Sequence, residues 1–151
     1  MITNNSCNFS LGTIGQVLTM ISSTNMGFVN LSPVSQSSAT RSLNTIYQIS
    51  SSNWSIVHYS IDISCSLSLT GGTTGTVYLE ISPTSGFSTV QNVGSFTNSN
   101  TGTLTIGLNT VQISTANLGT VVPAGYYVRL RTSNSLGTPT FTYQSGQEVL
   151  L

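Results

Sequence analysis

Lysine is missing from this chain, and only 4% of its residues carry a formal charge. With three arginines against three acids, no long-range field is available to steer the protein towards nucleic acid or an anionic membrane. No apolar run reaches bilayer-spanning length, so membrane insertion is not expected, and the start Met1-Ile2-Thr3-Asn4-Asn5 lacks the basic, then apolar pattern of a signal peptide. The two cysteines, Cys7 and Cys65, are too few for the disulfide framework of a small secreted domain. Cys65 falls on an apolar strand face and reads as a small buried hydrophobe. A convincing helical period is absent throughout, which excludes a bundle.

Ser, Thr, Asn and Gln take the place of charge, while 38% of the residues are hydrophobic and recur with period two. That period separates a folded β domain from a disordered low-complexity chain. Val57, Tyr59, Ile61, Ile63, Cys65, Leu67 and Leu69 alternate with polar residues, the mark of a long strand with one buried face. Gly71-Gly72-Thr73-Thr74-Gly75 supplies a turn, and 76–81 is expected to return as the second arm of a hairpin ended by Pro83. Further strands are expected over 90–97, Leu104 to Leu108, Val111 to Ser114, 126–131, around Phe141 and Tyr143, and over 147–151. The result is an all-β, antiparallel sandwich of jelly-roll type. Residues 1–38 form a separate segment, a short β-hairpin followed by a Ser-rich linker, and 39–151 the sandwich.

Catalytic chemistry finds little footing. The lone histidine, His58, shares a strand face with Asp62 but stands about 13 Å from it at roughly 3.3 Å per residue, too far for a base and its orienting carboxylate. Asp62 and Glu80 lie on the polar faces of the expected hairpin and could approach one another as a glycosidase pair. Pairing of Glu80 with Arg129 or Arg131 accounts for these residues more economically. No catalytic residue, cofactor or metal site is therefore assigned; His58 could act as a ligand only if a threefold axis tripled it. Aromatic rings set among neutral polar groups suit carbohydrate, whose C–H faces stack on rings while its hydroxyls bond amides. Trp54, Tyr78, Tyr127 and Arg129 are the candidate contacts.

The runs Ala39-Thr40-Arg41-Ser42-Leu43-Asn44-Thr45, Tyr59-Ser60-Ile61-Asp62-Ile63-Ser64, Gly75-Thr76-Val77-Tyr78-Leu79-Glu80-Ile81, Pro123-Ala124-Gly125-Tyr126-Tyr127-Val128-Arg129-Leu130-Arg131-Thr132 and Gly146-Gln147-Glu148-Val149-Leu150-Leu151 together resemble the C-terminal knob of tailed-bacteriophage tail-fibre and related virion proteins. Leu11-Gly12-Thr13-Ile14-Gly15-Gln16-Val17-Leu18-Thr19 is similar to the repeating unit of fibre shafts. The resemblance implies a homotrimeric appendage at the virion periphery, made in the bacterial host cytoplasm. It would be joined to other virion proteins through its N-terminal segment and would touch a host surface glycan or protein. Val17, Leu18, Phe28, Val149, Leu150 and Leu151 are the expected protomer contacts. A capsid decoration or head-fibre protein without receptor binding is the alternative, and a small glycan depolymerase a more distant one.

Overall fold

The structure is a computed structural model describing the backbone of residues 16–22, 25–30, 35–102 and 109–151, with side chains from 36 onward within that set. The chain divides into two compact units, Met1–Pro33 and Val34–Leu151. In the first, β1 (Gln16–Ser22) and β2 (Asn25–Asn30) form an antiparallel hairpin with Leu18 opposite Phe28.

The second unit contains β3 (Ser35–Ser38), β4 (Ile46–Gln48), β5 (Ser55–Ser68), β6 (Gly71–Ser82), β7 (Gln91–Asn100), β8 (Thr110–Val122), β9 (Tyr127–Leu136) and β10 (Thr140–Leu150). All pairings are antiparallel, and among the described residues no helix occurs. The order β3-β10-β5-β8 makes one four-stranded sheet and β4-β9-β6-β7 the other. Eight strands in these two orders form a jelly roll, so the all-β sandwich expected from the period-two pattern is the observed architecture.

Several details depart from the sequence reading. Ser35–Ser38, expected within the linker, is instead a strand, because β10 offers an open ladder to which these residues bond from Leu150↔Ser35 to Gln147↔Ser38. The expected hairpin of 57–69 and 76–81 exists only at its tip, where Leu67 faces Gly72 and Ser68 faces Gly71. Beyond that corner β5 is flanked by β8 and β10, and β6 by β7 and β9, so the two strands diverge into opposite sheets. Gly71 makes this possible with φ +132, and Leu69, past the end of β5, is 72% exposed rather than buried. The short strand expected at Val111 to Ser114 runs the length of β8, and the one expected at 104–108 lies outside the described residues.

The core lies between the sheets. Val57, Tyr59, Ile61, Ile63 and Cys65 of β5 face Val77, Leu79 and Ile81 of β6, with Ala116, Leu118, Val122, Val128 and Leu130 completing it. Each large aliphatic group so buried contributes about 1.5–3 kcal/mol before entropy.

Polar braces close both edges of the sandwich. On one, Asn98 of β7 donates its amide to the carbonyls of Ile63 (2.8 Å) and Gln112 (3.1 Å), tying its sheet to the other where no backbone ladder runs. On the opposite edge Glu148 accepts two hydrogen bonds from Arg41 (2.8 and 2.6 Å) and one from the Tyr59 hydroxyl (2.7 Å). Arg41 also stacks 4.4 Å above the Tyr47 ring. Its bond to Glu148 raises the Arg41 pKa, while burial, and then that carboxylate, push the Tyr59 phenol well above its ordinary value.

Candidate functional site

The polar face of β6 and β9 points away from the core and carries a cluster of charged and aromatic side chains. Period two puts Tyr78 and Glu80 of β6 on this face, and the ladder sets Tyr78 opposite Arg131 and Glu80 opposite Arg129. Glu80 is only 3% exposed because both arginines close over it. Arg129 donates Nε (3.0 Å) and Nη2 (2.7 Å) to Oε2, and Arg131 donates Nε (2.7 Å) to Oε1. The pairing expected with one arginine thus involves both.

Each guanidinium also lies on a ring, Arg129 at 4.5 Å from the Phe87 centroid and Arg131 at 4.1 Å from that of Tyr78. Phe87 adopts φ 51, a conformation costly for an aromatic residue. Its amide bonds Thr84 O at 3.1 Å, and Thr84 hydrogen-bonds Ser82 and Ser88, so the loop holds the ring beneath Arg129. Nothing in the polar sequence around Phe87 announces this role. Two guanidiniums share one carboxylate, which leaves a residual positive charge on a rigid aromatic platform. The bond to Glu80 raises the Arg131 pKa above its ordinary value.

Of the candidate contacts, Tyr78, Tyr127 and Arg129 occupy this one face, with Ile46 and Gln48 of β4 beside Arg129 and Tyr127. Trp54 does not join them. It precedes β5 on the other sheet, 54% exposed, and its carbonyl accepts the Leu151 amide at 2.9 Å. Next to that pair the ladder aligns Val149, Ile56 and Val121, the last two exposed. Trp54 and the apolar C-terminus, assigned separate roles from sequence, therefore form one apolar patch; Val149 and Leu150 are half-buried and Leu151 is 55% exposed. For Val17, Leu18 and Phe28 only the backbone is described, and their side-chain contacts lie outside the described residues.

The acids do not converge. Asp62 lies on the outer face of the β5 sheet and accepts bonds from Thr115 (2.6 Å) and Gln144 (2.8 Å). Glu80 lies on the outer face of the opposite sheet, so the approach of Asp62 to Glu80 that an extended hairpin would allow is not made; the strands separate at the corner. Glu148 belongs to the buried edge brace. Among the described residues no group of three His, Cys, Asp or Glu is placed to hold a metal ion.

Topology and surface together define a jelly-roll domain with an arginine–aromatic platform on one sheet and an apolar patch on the other. No family model matches the chain. It is similar to a protein of Invertebrate iridescent virus 6 described as "Uncharacterized protein 443R", with 44% identity over 106 residues. The match covers 69% of this chain and 4% of that protein, so the chain spans only a small part of its viral relative.

Proposed function

We propose that the chain is a virion-surface knob that contacts a host glycan or surface protein non-covalently, as a homotrimer, in the manner its resemblance to tail-fibre knobs implies. The observation that carries this reading is the platform of Glu80, Arg129 and Arg131 with Tyr78 and Phe87, a partly exposed arginine–aromatic surface built on a buried carboxylate, of the composition that dominates recognition hot spots. Similarity to a viral protein supports it. In a trimer, three equivalent shallow surfaces gain avidity without any single tight site. The apolar patch of Trp54, Ile56, Val121 and Leu151 supplies the protomer contact in this reading.

The test joins light scattering on a sizing column to glycan-array and cell-binding assays of the purified chain. A mass near three times 15.9 kDa with binding that falls at least tenfold in Arg131→Ala supports the reading. A monomer that binds neither glycans nor cells overturns it, and binding to virions alone would favour the capsid-decoration alternative.

A further inference from the structure

A groove of about 640 Å³ opens on the outer face of the β5 sheet, away from the arginine platform. Its shape has a local cause. Between Tyr143 and Ser145 the β10 register slips by one residue, a bulge that places Gln144 and Ser145 side by side. Gly146 follows because no side chain fits there; a Cβ would meet Tyr143 Oη and lie 2.6 Å from Tyr59 Cδ1. The strand can thus settle low over the two rings, while the chain leaving β3 is pinned above by Ala39 N to Gly146 O (3.0 Å) and Tyr143 Oη to Ala39 O (2.6 Å).

We propose that this groove binds a neutral saccharide unit. The side chains of Ser38, Thr40, His58, Ser145 and Gln147 line it and make no hydrogen bond to other described residues. Their neighbours differ, since Ser60 is bonded to Asn117 and Asp62 is satisfied by Thr115 and Gln144. Towards the described residues the groove therefore presents open donors and acceptors of both kinds, matching a ligand whose hydroxyls both donate and accept. Among the described residues no arginine or carboxylate lines it, which disfavours anions, nucleic acid and metal ions. Its volume falls within the roughly 300–1,000 Å³ of small-molecule sites. The proposal goes beyond receptor contact by the arginine platform and stands or falls separately from it.

The probes are methyl glycosides of glucose, galactose, mannose and N-acetylglucosamine, with N-acetylneuraminic acid and sulfate as charged comparators, each followed by amide NMR at on the order of 10 mM. At least one neutral glycoside is expected to shift the amides of Ser38, Thr40, His58 and Gln147, and not those of Tyr78, Arg129 or Arg131. Gln147→Ala should weaken the response several-fold, and Ser145→Phe, which fills the groove from an exposed position, should abolish it with the rest of the spectrum intact. Absence of shifts at the groove for every neutral sugar, or shifts that persist in Ser145→Phe, overturns the proposal; shifts confined to the arginine platform would do so while sparing the receptor reading.

Discussion

Glu80 shows how a chain with few charges uses them. Two arginines, 22% and 37% exposed, converge on a carboxylate almost fully removed from water. Replacing Glu80 by Gln leaves both cations facing each other without an anion. Partial exposure of the arginines moderates the loss, and destabilisation by about 2–3 kcal/mol in urea unfolding is expected, against about 1 kcal/mol for Arg131→Ala. Tyr59 makes a different prediction. Burial raises its folded pKa above the unfolded value of 10.0, so its contribution is complete below pH 10 and is lost as pH rises further, when only the unfolded chain releases the proton. Stability should then fall by up to about 1.4 kcal/mol per pH unit. Tyr59→Phe should lose about 1–2 kcal/mol at pH 7, with its hydrogen bond to Glu148, and show a shallower alkaline decline in thermal melts from pH 8 to 11. The pairing of Glu80 was legible because residues 78–81 and 127–131 both alternate; the burial of Glu148 was not.

The reason for that failure lies at the level of the strand. Simple alternation from Phe141 and Tyr143 puts Val149 in the core and Glu148 in solvent, yet the bulge at Gln144 reverses the phase, so Gly146 and Glu148 point in and Val149 points out. Period two reports orientation only while register holds, and a one-residue slip inverts it. The strand β5, with no such slip, was legible almost residue by residue. Deletion of Gln144 is therefore expected to be tolerated. It joins Tyr143 and Ser145 in the regular ladder without changing which residues face inward, at a cost of about 1 kcal/mol for the lost bond to Asp62. Circular dichroism should remain that of the parent, whereas an alanine inserted after Gln147 should turn the last residues over and unfold the β3–β10 edge. The divergence of the hairpin arms has another origin: the glycine turn at 71 is a local signal, but which sheet each arm joins depends on partners distant in sequence.

For the whole molecule, the apolar patch around Trp54 is the surface to test for assembly. Ile56 and Val121 face each other across β5 and β8 with outward side chains, so Ile56→Asp should leave the core untouched. In the trimeric reading, that substitution is expected to reduce the scattering mass to that of one chain while changing the urea midpoint of the dissociated protomer by less than about 0.5 kcal/mol equivalent. A trimer unaffected by it would place the protomer contact elsewhere. Fold class was legible from composition and period at this scale. The patch was not, since Trp54 and Leu151 are far apart in sequence and meet only because β10 closes beside β5.

The ladder position Leu150↔Ser35 also brings the two ends of the sandwich to a single point. A host polypeptide could be cut at a surface loop and the whole domain spliced in there, with the flanking segments held no further apart than neighbouring strands. The same closeness means that a short peptide joining 150 to 35, with new termini opened at the Thr84–Ser88 loop, should yield a circularly permuted domain with the same sheets.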